Sequence, residues 1–536
     1  MKRLLKVLAL TVSVMLALSG SAAFADEELG TIYRQHYGAD LTQLPIVEEP
    51  LTIDVWRRFS STVMDSLADC EVFKKMEELT NVRVNWLYPP VGSETDNFNL
   101  RCASGDLPHM FSYPPEYKGG LEKGVADDVF IDFSSYYEQG MLPNLKYLRD
   151  TYPDIAKDTI MDSGAMIKFH MIDYVRSDPW AGLYVRKDLL DGAGLDEPLT
   201  IDDWDNMLRV FKEKYGAQLG ISIPQSYGVA VSYSFAAAYD TGYDWIARDG
   251  KTAAYGPVEP SYRDFLSLLN KWYRDGLLDP DFATLTKDAY EAKMADGSYG
   301  AFTCYYSSIG QAKVSGLSVN PDYKLIPVHQ PQSQPGKPTH LRQYNSLVRF
   351  DYDVMTTRIE ADGIAEQVLR WKDFWYSQMG GDLCSYGPEG VSYEWVAGDD
   401  GGATLKWIYE DTGVISKGSD KDFWTVYPMF KLHNWGYLRD STAYEMQPEV
   451  WQSVIVWGED GCDWNIPMIV ETAEETETLN RIMTDINTYR EEMTHKFITG
   501  QEPLDNFDAF VEQIRSQGIE EAIQIKQDAL DRYLAR

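Results

Sequence analysis

Leu51-Thr52-Ile53-Asp54-Val55-Trp56 alternates in the way a half-buried strand does. A helix pattern follows over Cys70–Thr80, and Val82-Arg83-Val84-Asn85-Trp86 reads as a second strand. Strand, helix, strand in that order opens a parallel sheet, so the chain is committed to an α/β fold. Ligand loops in open α/β sheets lie beyond the carboxyl ends of the strands. Arg57-Arg58-Phe59-Ser60-Ser61 leaves the first strand at such an end. Gly105-Asp106-Leu107-Pro108 introduces a short strand, His109–Ser112, that empties into Tyr113-Pro114-Pro115-Glu116-Tyr117, a rigid loop with two tyrosines.

The same grammar continues. Gly182 to Asp188 reads as a strand leading to a helix start. Thr200 caps the next helix, with Asp203 in the capping-box place. Trp204, Met207, Leu208 and Phe211 fall at helical spacing and form its buried stripe. Tyr262, Phe265, Leu269 and Trp272 mark another helix, stopped at Gly276. After a short helix, Lys287 to Ala295, the strand Gly300–Cys304 delivers Tyr305-Tyr306-Ser307-Ser308 at its carboxyl end. Pro331–Pro338 is a surface connection or lobe crossing, and Asn345 to Phe350 resumes a strand. Ala361 to Met379 has helical spacing, with Trp371 and Trp375 on the core face. The ten residues Tyr386 to Trp395 follow as a turn, carrying three aromatics and two carboxylates. Aromatic faces beside carboxylates suit a sugar, which has apolar CH faces and hydroxyl edges. The ordinary reading of such a turn is an aromatic plug. Three helices close the chain: one around Ile482–Phe497, stopped at Gly500, then Phe507–Ser516 and Glu520–Leu534.

Composition narrows the function. The chain has 83 Asp and Glu against 49 Lys and Arg, a formal net charge of −34. That argues against nucleic acid, whose binding is dominated by phosphate neutralisation, and against an anionic membrane surface. Lys2, Arg3 and Lys6, the apolar run Leu8–Leu18 and Ala23-Phe24-Ala25 have the form of a secretory signal cleaved after residue 25. Ser19-Gly20-Ser21 stands where a lipid-anchored protein would need a cysteine, so the chain reads as exported without a lipobox. Cys70, Cys102, Cys304, Cys384 and Cys462 are odd in number and form no CxxC pair; buried free thiols are expected. There is no G-x-S-x-G elbow, no H-E-x-x-H and no glycine-rich dinucleotide turn. No histidine spacing suits a metal, and no cofactor or metal is expected. Glu389 and Glu394 could be imagined as a glycosidase pair, but such pairs must flank a sugar bond.

Four segments in order resemble one family. They are Leu183-Tyr184-Val185-Arg186-Lys187-Asp188-Leu189-Leu190 through Pro198–Trp204, then Gly276-Leu277-Leu278-Asp279-Pro280-Asp281-Phe282-Ala283, Tyr386-Gly387-Pro388-Glu389-Gly390, and Phe497-Ile498-Thr499-Gly500-Gln501-Glu502-Pro503-Leu504. They resemble the extracellular solute-binding proteins, family 1, in the long lipoprotein-like branch that serves sugar ABC transporters. The resemblance implies a two-lobed periplasmic-binding-protein fold of type II, with a hinge and an inter-lobe cleft. It places lobe one at 26–173 and 338–400 and lobe two at 174–337 and 401–536. It implies a monomeric receptor that binds a neutral oligosaccharide and hands it to membrane permease subunits. By similarity of position, Trp56, Arg57, Tyr113, Tyr117, Tyr386 and Glu389 would line the cleft from lobe one. Gln225, Tyr227, Tyr305, Tyr306 and one or more of Trp424, Trp435 and Trp464 would line it from lobe two. Some relatives carry a calcium loop after the helix matching Trp204–Lys214. Tyr215-Gly216-Ala217-Gln218-Leu219-Gly220 lacks its oxygen ligands, so no calcium is expected there. The rival reading is a secreted glycosidase or lyase using Glu389 and a second carboxylate.

Overall fold

In the computed structural model, residues 38–60, 65–173, 179–221, 234–343, 346–397, 403–408, 437–438 and 448–536 are described. The signal read at 1–25 and the candidates Gln225, Tyr227, Trp424 and Trp435 lie outside them. The opening alternation forms strand β1 (Leu51–Arg57), and the second forms β2 (Val82–Leu87). They pair in parallel with Leu51 opposite Val82, and the helix Glu71–Thr80 joins them. Asn81 ends that helix in the left-handed region at φ 59°. Its side-chain amide donates to the carbonyls of Val47 and Glu48, fixing the lead-in segment to the sheet edge.

Next come β3 (Met110–Ser112), β4 (Lys168–Asp173), β5 (Ala181–Arg186), β6 (Gln218–Gly220), β7 (Trp245–Arg248), β8 (Thr252–Tyr255), β9 (Tyr299–Tyr305) and β10 (Leu325–Val328). After them lie β11 (Val348–Met355), β12 (Tyr393–Ala397), β13 (Ala403–Trp407) and β14 (Tyr437–Leu438). Among the described residues, one mixed sheet has the order β14-β4-β11-β3-β1-β2 and a second has the order β10-β5-β9-β6. Each sheet has its own apolar core. Val55, Phe73, Met110, Trp371 and Trp375 belong to the first body, and Val185, Trp204, Phe211, Leu269 and Phe497 to the second. The chain crosses from β4 to β5, returns between β10 and β11, and rejoins the first sheet again at β14.

Periodicity located the capped helices of the second body and the terminal set, but not Glu94–Ser104, Pro143–Thr151, Tyr306–Val319 or Pro448–Gly458. The helix Ile201–Tyr215 carries the expected capping box, and Trp204, Met207, Leu208 and Phe211 are all buried. The closing helices are Ala473–Thr499, Phe507–Ser516 and Ile519–Ala535. The span 361–379 is corrected. It holds three helices, Arg358–Ala361, Ala365–Phe374 and Gln378–Tyr386. Gly363 at φ 71° breaks the first boundary, and the Ser377 side chain, accepting from the Gly380 N–H, caps the last. Tyr386 therefore ends a helix, and the turn proper runs only from Gly387 to Ser392. The resumed strand is corrected too: it runs from Val348 to Met355, not from Asn345 to Phe350.

Candidate functional site

Register decides which sheet ends face the crossings. β1 and β3 are parallel and end at Arg57 and Ser112. β11 runs against β3 with Asp353 opposite Ser112, so its first residues project past the ends of β1 and β3. β4 ends beside the start of β11, with Ile172 opposite Val348, and there the chain leaves for the second sheet. In that second sheet β5 begins with Ala181 opposite Tyr305, the last residue of β9. The carboxyl ends of β1 and β3 and the carboxyl end of β9 are thus the ends from which the crossings run.

At the first of these ends the Arg57 guanidinium donates to Ser112 Oγ at 2.7 Å and is only 8% exposed. Burial pushes its pKa down, while Asp353 and Asp351 oppose that shift. Beneath it lies a fully buried ion pair, Lys372 Nζ to Asp353 Oδ2 at 2.5 Å. Burial also lowers the Lys372 pKa, against the attraction of Asp353. Such a pair is costly to desolvate but more costly to break, because one charge would be stranded.

Tyr113 sits above this floor. It is 44% exposed and has φ 52°, a left-handed conformation that a tyrosine adopts only under constraint. Its N–H donates to the Tyr352 carbonyl at 3.1 Å, and the Arg58 guanidinium lies 5.1 Å from its ring centroid. Burial and the neighbouring Asp351 carboxylate raise its hydroxyl pKa, and a hydrogen bond joins the two. An exposed ring, two guanidinium groups and a carboxylate therefore share one corner. That corner can stack on an apolar face and both donate to and accept from hydroxyls.

At the end of β9, Tyr305 and Tyr306 are half-buried. Trp180, half-buried at the last step of the first crossing, has its ring 5.0 Å from that of Tyr305. Its carbonyl accepts from the Tyr306 N–H at 3.0 Å. Its own N–H donates to the side chain of Gln343, on the returning segment. Two crossings and an aromatic cluster are thereby tied at one place.

The other candidates are placed differently. Trp56 is fully buried, with Nε1 donating to Asn97 Oδ1 and its ring against Phe98 and Phe111. Tyr386 is fully buried, its ring edge-on to Tyr393 and Trp395. Tyr117 is half-buried on Phe130, with its hydroxyl donating to Asp127. Trp464 stacks on His340 at 4.7 Å with Arg248 over its ring. Glu389 is exposed on the turn, and Glu394 pairs with Lys406 at 2.9 Å. Ser112, Asp351 and Trp180 were not read from the sequence. Trp180 carries a local signal, since it ends the crossing before β5, whereas Asp351 lies inside β11 and only the register brings it to the same sheet end as Tyr113.

None of the five cysteines forms a disulfide; Cys70, Cys304 and Cys384 are buried as expected, whereas Cys102 and Cys462 are only half-buried. Among the described residues no group of three or more His, Cys, Asp or Glu is arranged for a metal, and no helix is long and apolar enough to cross a membrane.

A family described as bacterial extracellular solute-binding protein matches residues 65–345. The lipoprotein LipO of Bacillus subtilis is 26% identical over 237 residues, covering 42% of this chain and 45% of LipO, so the match spans under half of that relative. The polygalacturonan/rhamnogalacturonan-binding protein YtcQ of the same organism is 22% identical over 85% of this chain and 87% of its own. FusA of Streptococcus pneumoniae, a fructooligosaccharide ABC transporter substrate-binding protein, is 22% identical over 58% of each chain. Its structure with kestose superposes with a TM-score of 0.67 at 19% identity, covering 90% of this chain and 99% of FusA. At that identity the likeness shows the fold: two sheets flanked by helices, as in solute-binding proteins.

Proposed function

Because the chain belongs to the bacterial extracellular solute-binding protein family, we propose that it is the extracytoplasmic receptor of an ABC importer. It captures an oligosaccharide between its two bodies and delivers it to membrane permease subunits as a monomer. Lobe one is assigned to 26–173 and 338–400 and lobe two to 174–337 and 401–536, with β14 a further return to the first sheet. The observation that carries the reading is Tyr113: an exposed ring held in a left-handed conformation above Arg57, Arg58 and Asp351. Constraint of this kind collects where a side chain must be aimed. Trp180, Tyr305 and Tyr306 supply the facing aromatic set, and Arg58 and Asp351 bond hydroxyls. The acidic surface favours a neutral sugar. FusA and YtcQ are named for carbohydrate ligands, which supports a carbohydrate ligand without choosing a neutral one.

Calorimetric titration against kestose, raffinose, stachyose and oligogalacturonides tests this. Saturable binding to one of them, weakened by Tyr113→Ala, is expected. Absence of heat with every member of a broad plant and host glycan panel would overturn the reading. The glycosidase alternative requires turnover. Its acid would be Glu389, whose neighbour Glu394 is held by Lys406, and the comparisons give binding proteins rather than enzymes.

A further inference from the structure

The helix Ile519–Ala535 begins in the core of the second body, where Ile519 and Ala522 are fully buried, and Leu530 packs on Ala247 and Ala253. Its far end reaches the first body. Arg532 and Arg536 both donate to the Asp162 carboxylate, one oxygen each. Arg536 also donates to the carbonyls of Lys157 and Ile160, each at 2.9 Å, at the end of the helix Pro153–Asp158. A cation there complements the exposed carbonyls and the helix dipole. Ile155 and Ile160 of this stretch pack in the first body's core.

Asp158 joins the two bodies again. One carboxylate oxygen accepts from Tyr533 Oη at 2.8 Å, and the other accepts from Ser346 Oγ. Ser346 lies on the return crossing just before β11, and its Oγ also accepts from the Val348 N–H. A single buried carboxylate therefore holds a first-body helix, the crossing, and the last helix of the second body. The side chains of Asp162 and Arg536 are 16% and 10% exposed, so this is not a solvated surface pair.

We propose that Asp158 and Asp162, with Arg532, Tyr533 and Arg536, form an inter-body latch that sets the resting angle of the two lobes before ligand arrives. The inference rests on the receptor reading, in which the bodies turn about their crossings to close. A rotation that moves the crossing relative to the last helix must stretch or release the bonds at Asp158. The latch therefore biases the open–closed equilibrium and, with it, the free energy left for binding.

The test needs no ligand, so its failure is distinct from failure to find a sugar. The full chain and the variants Asp162→Asn, Arg536→Gln and Tyr533→Phe are compared by small-angle scattering and by hydrogen exchange. Arg209→Gln, which cuts an ion pair lying wholly within the second body, is the control. Asp162→Asn and Arg536→Gln should shift the radius of gyration and speed exchange over 153–162 and 529–536 by roughly tenfold or more, the loss expected for charge-assisted bonds. Tyr533→Phe should do so more weakly, and the control should change neither quantity. An unchanged radius of gyration in both charge variants would overturn the proposal, even if exchange or melting temperature moved, because the contacts would then be a local brace only.

Discussion

Tyr113 and Tyr386 carry the same ring in opposite surroundings. Tyr113 is 44% exposed and Tyr386 fully buried. Tyr113→Ala is expected to weaken oligosaccharide binding by about 1–2 kcal/mol, roughly five- to thirtyfold, with little change in unfolding midpoint. Tyr386→Ala is expected to lower stability by about 3–5 kcal/mol through lost packing against Tyr393 and Trp395. Calorimetry and urea unfolding on both variants separate the roles, and equal stability losses would show that Tyr113 is packing too. Asp373 gives a pH signature. Its carboxylate accepts from the Asn144 and Leu145 N–H groups and from Asn144 Nδ2, yet burial pushes its pKa up to about 7. The folded chain then keeps a proton that the unfolded chain, with an ordinary carboxylate, releases near pH 4. Folding takes up that proton between about pH 4 and 7, so the stability supplied by Asp373 is greatest below this window and falls as pH rises through it. Asp373→Asn removes the titration. The stability difference between parent and variant should therefore shrink from pH 5 to 7.5, and a flat difference would refute the assignment.

At the scale of elements, close approach constrains β5 more than propensity does. A Cβ on Gly182 would lie 2.3 Å from the Trp457 ring, which packs across the strand. Gly182→Ala should destabilise by about 1–3 kcal/mol through overpacking, and should disturb the helix Pro448–Gly458 that carries the tryptophan. Loss of near-ultraviolet circular dichroism together with the midpoint shift would confirm it, and an unchanged midpoint would sink it. Helix and strand spans were legible where spacing is regular, as in Ile201–Tyr215 and β1. The span 361–379 was not, because one helical stripe runs on in sequence across a chain that turns at Gly363 and restarts at Ser377. The hairpin of β7 and β8 was missed because Trp245–Arg248 and Thr252–Tyr255 are each four residues long, too short for alternation to declare itself.

The whole molecule is two bodies joined by crossings and by the last helix. A ligand that binds only the folded form adds stability by mass action, about 2.7 kcal/mol at a hundred times its Kd. A rise of that size in unfolding free energy is expected with the sugar that calorimetry selects. The rise should be lost in Tyr305→Ala if both bodies grip one ligand. An undiminished rise in that variant would confine binding to the first body.

Sequence alone determined the class of fold and the family resemblance. Alternation, capping residues and helical stripes are local, and strand–helix–strand order leaves few topologies. It also determined which loops follow strands, and so which residues were worth considering. It could not decide which aromatics are core. Trp56 and Tyr113 both sit beside a strand end in sequence, but burial of one and exposure of the other depend on which face the pleat turns toward Phe98 and Phe111. Nor could it join Asp351 to Tyr113, Trp180 to Tyr305, or Asp162 to Arg536. Those partners lie far apart along the chain, and only the register of the two sheets and the path of the last helix bring them together.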